Sequence, residues 1–383
     1  MSPVHPVLAP ATEPVRMVAT DDVPEASAEH IPGVPQGATQ DAEAAAPEVP
    51  PVDAVTAAPP VQDLGPQLSY RVEMPLVSAL PTQLRQGDLT MLGDLHKRMG
   101  DEASDAGNEL RAWGRLVRAD SNIRQTGTVA PQSRGHLDGF QVGHDLYAEQ
   151  GVKAGVYLGQ LEGNMSVNGL ANGLGYESAG FNRLQSRYLG AYGTWQDAAG
   201  FYADGVLQRA GYRSQLHAVD GSQSRVKGDG WLASLEVGKA FAIDSQWQIE
   251  PQAQIIYRHI RLDDTALSMA TVQHKVESDW TLRLGMRIKA SLDTSAGQFQ
   301  PYGRINVYKA SRTVDGARFI TPVATTDIRT QGGYTTTELA AGGTLQLNQR
   351  TSLYGEVGHR WANGGDARVK SGVQVFAGLK LHW

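Results

Sequence analysis

The sequence predicts an all-β protein, a twelve-stranded antiparallel transmembrane β-barrel. Three observations carry that expectation. From Glu109 to Trp383 apolar and polar residues alternate within segments of 11–20 residues, well beyond the five or six or so usual for a soluble strand. The connections alternate short and long, which sorts turns to one rim and loops to the other, as in outer-membrane barrels. Aromatics stand near segment ends (Trp195, Phe201, Trp231, Phe241, Trp247, Trp361, Trp383), where interfacial girdles form.

Ahead of the strands, residues 1–66 hold 13 of the chain's 19 prolines among Ala, Glu, Asp and Val. That composition cannot bury a core, so 1–77 reads as a disordered Pro/Ala-rich segment. Its opening, MSPVHPVLAP, lacks a basic region followed by an apolar one. Residues 78–108 follow as a helix and linker. Leu89, Leu92, Leu95 and Met99 recur at helical spacing, with Asp88 as a cap and Gly100 as a stop. The expected helix spans about 80–99, broken near Gly87, and carries Arg85, Asp94, Lys97 and Arg98 on its polar side.

The strand region, 109–383, divides into 109–119, 137–147, 151–163, 183–196, 200–213, 226–242, 246–261, 272–291, 299–311, 336–348, 351–361 and 372–383. Short connections fall at 148–151, 196–200, 242–245, 292–298 and 348–351, and long ones at 120–136, 164–182, 214–225, 262–271, 312–335 and 362–371. In 246–258, Trp247, Ile249, Ala253, Ile255 and Tyr257 oppose Gln248, Glu250, Gln252, Gln254 and Arg258. In 279–290, Trp280, Leu282, Leu284, Met286 and Ile288 oppose Asp279, Thr281, Arg283, Arg287 and Lys289.

A soluble sandwich would also alternate. The polar faces, however, mix opposite charges as a water-filled lumen would. The expected lumen residues are Arg115, Asp204, Glu236, Glu250, Gln252, Arg283, Arg287, Arg304, Glu356 and Arg360.

A net charge of −6 leaves no basic footprint for nucleic acid. The absence of cysteine excludes disulfides and thiolate metal sites. No stretch of about 18 apolar residues is available for a membrane-spanning helix. Hydrolase, metalloprotease and phosphate-loop motifs are absent. The Gly-rich run 169–175 lacks the strand-turn-helix context of a nucleotide site. Asp263, Asp264 and His274 cluster in one stretch of chain and read as solvated loop. The expectation is therefore no enzyme, no catalytic residue, no metal and no cofactor.

Several blocks resemble the autotransporter β-domain, the translocator of type V secretion, with a pertactin-like flavour. They are Trp113-Gly114-Arg115 with GTVAPQSRGHLDGFQVGHDLY (127–147), LGAYGTWQDAAGFYADGVLQ (189–208), GWLASLEVGKAF (230–241), EPQAQIIY (250–257) and YGEVGHRW (354–361). The resemblance spans about 109–383. It implies a barrel with the N-terminal helix inside its pore, and it points to Glu236 and Gln252 as lumen residues. It also implies an outer-membrane location in a Gram-negative cell, with the N-terminal segment at the cell surface.

The implied partners are outer-membrane lipid, the barrel-assembly machinery, periplasmic chaperones, the chain's own N-terminal passenger and a host surface ligand, with the barrel a monomer. The insertion signal would lie in the last strand, at Phe376, Leu379, Leu381 and Trp383. The chain departs from the family pattern in having neither a signal peptide nor a long passenger, which fits a fragment or a member with a vestigial passenger. Residues 80–108 hold one Asn, Asn108. The Asn pair used by self-cleaving members is missing, so release by that route is not expected. The alternative function is a surface adhesin or immune-evasion factor that binds through 164–182, 312–335 or the N-terminal segment.

Overall fold

The computed structural model describes residues 70–100, 109–171 and 176–383. Most of the Pro/Ala-rich segment, the linker before the first strand and part of the Gly-rich run 169–175 lie outside the described residues.

Twelve long strands form a closed antiparallel ring. In chain order they are β1 (Arg111–Gln125), β2 (Gln132–Glu149), β3 (Val152–Leu170), β4 (Tyr176–Gln196), β5 (Phe201–Ala218), β6 (Gln223–Lys239), β8 (Trp247–Leu262), β11 (Asp279–Ala290), β13 (Gly297–Ala310), β16 (Tyr334–Asn348), β17 (Thr351–Gly365) and β18 (Ala367–His382). The ends meet where Arg111 pairs with His382 and Gly114 with Leu379. The last strand therefore has no open edge. Two short pieces, β7 (Phe241–Ala242) and β12 (Leu292–Thr294), finish turns at one rim.

The outward face settles the choice between sandwich and membrane barrel. Leu116, Leu158, Leu189, Leu207, Leu235, Leu284, Leu339 and Val357 are each more than half exposed, at 53–68%. A sandwich would bury them against a second sheet; a bilayer accounts for them. Trp195, Phe241, Trp247 and Trp383 ring the rim of short turns. Nearer the other rim, Trp231, Tyr257 and Trp280 form an outward aromatic row, with ring centroids 5.1 and 4.7 Å apart. Between Trp247 and Tyr257 a strand tilted near 45° rises about 24 Å, which matches the apolar band of an outer-membrane barrel.

Beyond the upper aromatic row the pattern changes sense while keeping its phase. On β5, Tyr202, Asp204 and Gln208 point inward low in the wall while Leu207 points out; higher up, Leu216 points inward while Arg213 and Gln215 point out. There the wall has left the lipid, so outward residues meet water and inward ones pack. For this reason the expected loops 120–136, 164–182, 214–225 and 362–371 are mostly wall. Only 126–131 separate β1 from β2, and only Asp366 separates β17 from β18.

The expected strand 272–291 is two elements. Its second part is β11. Its first part, β10 (Ala270–Lys275), joins β9 (Thr265–Leu267), β14 (Val314–Ile320) and β15 (Thr325–Gln331) in a four-stranded sheet at the long-loop rim. Leu267, Val272, Phe319 and Ile328 from this sheet share one buried cluster with the N-terminal helix.

That helix also differs from expectation. α1 (Glu73–Leu92) begins earlier, and continues through Pro81 and Gly87. Gly87 does not break it; a side chain there would meet Leu161 at 3.3 Å and the Tyr188 hydroxyl at 3.6 Å, so glycine permits close approach to the wall. The break is at Gly93, whose φ of +62° suits glycine and whose N–H donates to the Leu89 carbonyl. α2 (Leu95–Met99) follows. Its cap is Asp94, which accepts from the Lys97 N–H at 2.8 Å, and Gly100 ends it. Asp88, expected to be a cap, lies inside α1.

Candidate functional site

The lumen and the helices inside it form the candidate site. α1 starts at the long-loop rim, where Asn182 Nδ2 donates to the Leu76 carbonyl at 2.9 Å. α2 ends towards the short-turn rim, where the Tyr354 hydroxyl donates to the Arg98 carbonyl at 2.7 Å. The helical segment therefore enters at the outer rim and descends to the rim where β1 begins.

Around α1 the packing is aliphatic. Leu76, Val77, Ala79, Leu80 and Leu84 are almost wholly buried against Ile123, Leu161, Met165, Leu184, Val226 and Ile260. The charged groups here are few and each is hydrogen-bonded. Arg85 bridges Asp315 at 2.5 Å and Asp279 at 3.1 Å, tying α1 to the rim sheet and to the wall. Arg258 Nη2 contacts Asp279 at 2.6 Å, and its Nη1 donates to the Arg85 carbonyl. Asp88 accepts from Tyr212 at 2.8 Å and from Tyr188 at 3.3 Å.

Around α2 the lumen is ionic. Asp94 pairs with Arg304, which also reaches Glu356 at 2.6 Å. Lys97 Nζ lies 2.8 Å from Glu338 and 3.7 Å from Glu356. Arg98 Nη2 meets both oxygens of Asp204, at 2.7 and 2.8 Å. His96 Nε2 is 2.8 Å from Glu250. Glu236 accepts the Leu95 N–H and pairs with Arg283 at 3.0 Å.

Arg115 donates to the carbonyls of Met91 (2.6 Å) and Lys97 (3.0 Å), groups that the ends of the two helices leave open. Asp94, Lys97 and Arg98 each have an opposite charge at close range and Arg115 is met by carbonyl oxygens, the conditions under which buried charges are tolerated.

All ten expected lumen residues, Arg115, Asp204, Glu236, Glu250, Gln252, Arg283, Arg287, Arg304, Glu356 and Arg360, are buried inside the ring, and so are Arg85, Asp94, Lys97 and Arg98. Of these, Arg85 stands apart among the α1 contacts; the rest gather around α2. Of the last-strand residues, Leu379, Leu381 and Trp383 point outward. Phe376 points into the lumen, beside Tyr354 and under Arg115 at 5.7 Å.

Sequence reasoning missed Glu338, the acid that faces Lys97, although it shares the phase of Thr336 and Ala340 and sits opposite Arg360 in register. Asp315 had no such signal, because the short strand that carries it is not part of the ring. Among the described residues no group of three or more His, Cys, Asp or Glu is arranged to hold a metal. His274 lies in the rim sheet, with its Nε2 3.0 Å from the Thr265 hydroxyl.

Residues 112–358 match the autotransporter beta-domain family. The adhesin BmaC autotransporter of Brucella suis is 28% identical over 82% of this chain, and the pertactin autotransporter of Bordetella bronchiseptica 29% over 68%. The matches cover 10% and 28% of those relatives, so the chain corresponds to a small part of each. The transport unit of AIDA-I from Escherichia coli has a similar fold, with TM-score 0.62 and 16% identity over 82% of this chain and all of that one. So does the translocator domain of NalP from Neisseria meningitidis, with TM-score 0.56 and 12% identity over 80% of this chain and 98% of that one. A closed twelve-stranded ring with a lipid-facing exterior, a helix within it and a family match over most of the strands identify the chain as a member of the autotransporter β-domain family, an outer-membrane translocator barrel.

Proposed function

We propose that this barrel delivers its own N-terminal segment to the cell surface and then holds it there through α1 and α2. The observation that carries the reading is the direction of the plug. α1 begins at the outer rim, while Lys97, Asp94 and Arg98 fix the inner end of the segment to β16, β13 and β5 through Glu338, Arg304 and Asp204.

A polar lumen suits a translocating chain, whose backbone groups need hydrogen-bonding partners that lipid lacks. Once passage ends, the same charges clamp the helix, so the lumen works as conduit and anchor and not as a catalytic site. Protease shaving of intact cells, followed by N-terminal sequencing of the protected fragment, tests this. Cleavage should fall before Glu73 and leave α1, α2 and the barrel together. A fragment beginning at β1 would overturn the anchoring role.

Insertion belongs to the same reading, with the barrel-assembly machinery and periplasmic chaperones as partners that read the outward Leu379, Leu381 and Trp383. Removing Trp383 should lower the amount of heat-modifiable barrel in cells while leaving the thermal midpoint of refolded barrel unchanged. Equal loss of both would make Trp383 a stability residue. The adhesive alternative has a narrower base than the sequence suggested. Residues 164–182 are largely β3 and β4, which leaves the hairpin β14–β15 within 312–335 and the N-terminal segment as its candidates.

A further inference from the structure

Above the upper aromatic row, one sector of the outer wall is crowded with cations. Arg187 on β4, Arg209 and Arg213 on β5, Arg225 and Lys227 on β6 and Arg261 on β8 all point outward and are exposed. The register makes them neighbours. Arg213 pairs with Lys227, Arg209 with Trp231, Gly211 with both Arg187 and Asp229, and Asp229 with Arg261.

Acids are few. Asp229 is shared by Arg209 at 3.9 Å and Arg261 at 3.6 Å, Asp263 stands at the edge, and Glu162 on β3 lies opposite Gln185. Among the described residues Arg187, Arg213, Arg225 and Lys227 have no ion-pair partner. Some exterior cations elsewhere are paired directly, as Arg118 is with Asp138 at 3.1 Å and Arg318 with Asp327 at 2.8 Å.

The sector is also concave. Gly211 lacks a side chain and nothing lies within 4 Å of where one would be. The notch there has a volume of about 370 Å³ and is bordered by Arg187, Arg213, Lys227, Asp229 and Arg261.

Its height fixes the ligand class. Lys227 is four residues beyond Trp231, which places it about 9 Å further along the normal for a strand tilted near 45°. That is the depth of the headgroup layer, immediately above the acyl chains. The outward Leu189 and Leu207 below it complete an amphipathic site, with apolar wall beneath and cations above. Arg209, level with Trp231, can lay its stem on the apolar wall and lift its guanidinium towards the cations.

We propose that this notch binds a phosphorylated amphiphile of the outer leaflet, with its phosphate between Arg187, Arg213 and Lys227 and its chains along Leu189 and Leu207. The bound lipid supplies the anions that the protein omits.

Native mass spectrometry of the full chain in zwitterionic detergent, with diphosphoryl lipid A as the probe, reads the binding directly. The triple variant R187Q/R213Q/K227Q should bind about a hundredfold more weakly, each cation near an anionic surface contributing severalfold. R118Q, on another part of the wall, should bind as the parent does. Heat-modifiable migration confirms that each variant is closed. Should the triple variant fail to close, R187Q alone is expected to lose affinity severalfold.

Undiminished binding by the charge variants, or equal binding of the fully dephosphorylated lipid, overturns the proposal. Complete displacement by millimolar inorganic phosphate would make the notch a soluble-anion site and overturn the lipid assignment. Preferential capture of an acidic peptide over the lipid would do the same.

Discussion

Around α1 the lumen is filled by Leu76, Leu80 and Leu84 against aliphatic wall residues, whereas around α2 it is filled by Asp94, Lys97 and Arg98 against wall charges. The difference follows from what lies outside the wall at each height. Low in the barrel the exterior faces lipid and takes the aliphatic side chains, so the inward positions carry polar residues. High in the barrel the exterior faces water, and the inward positions carry the aliphatic ones. The plug is thus two devices in series: a hydrophobic core at the outer rim and an ion-pair clamp beneath it. Hydrophobic packing is tolerant and graded, while buried charges fail abruptly when one partner is lost.

The largest effect is expected from Arg304→Ala. It strips the buried carboxylates of Asp94 and Glu356 of their shared guanidinium, and uncompensated buried charge costs roughly 3–5 kcal/mol. The thermal midpoint of heat-modifiable migration should fall, and planar-bilayer recordings should show new open-channel events as α2 loosens. A silent channel in this variant would mean that the clamp does not hold the plug.

Leu80→Ala comes next. Leu80 is fully buried, and such truncations cost about 2–5 kcal/mol, with relaxation of the surrounding core setting where in that range a site falls. Because α2 stays clamped, the midpoint should drop without the open-channel events of Arg304→Ala. Equal channel opening by both variants would collapse the distinction between core and clamp.

How much of this was legible depends on which solvent each residue meets. The twelve strands and the lumen charges were readable because lipid outside and polar lumen inside give period-2 segments such as Trp280–Ile288. Above Trp231 both the outward Arg213 and the inward Ser214 are polar, so the wall there reads as loop. The rim sheet escaped notice because β9 and β10 are short, and their partners β14 and β15 come from a distant part of the chain. The register of α1 was missed because the whole helix is buried. With no solvent-facing side, no polar stripe marks where the helix starts, and Gly87 looks like a breaker when it is a site of close packing. The charges on α2 were readable as a set, but their partners were not. Sequence spacing says nothing of which wall position faces Lys97.

The rim sheet allows the two devices to be separated by pH alone. Burial lowers the His274 imidazole from its ordinary value to about 4, with Asp263 and Asp264 opposing the shift only in part. An imidazole released by opening of the sheet returns to about 6.5, so the open form binds more protons between those values. The stability that His274 supports is therefore complete above pH 6.5 and falls as the pH drops towards 4. Between pH 7.5 and pH 5 the loss is about 2 kcal/mol if the sheet opens as a unit. Hydrogen exchange should then quicken at Val272 and Phe319 and, through the shared core, at the start of α1. Amides of β13 beside Arg304 should hold their protection, since they are bonded within the wall to β11 and β16 and the ion pairs that brace that stretch lie low in the lumen, away from His274. In His274→Gln the acid-induced acceleration should disappear. If exchange quickens equally beside Arg304, core and clamp open together and the plug is one cooperative unit.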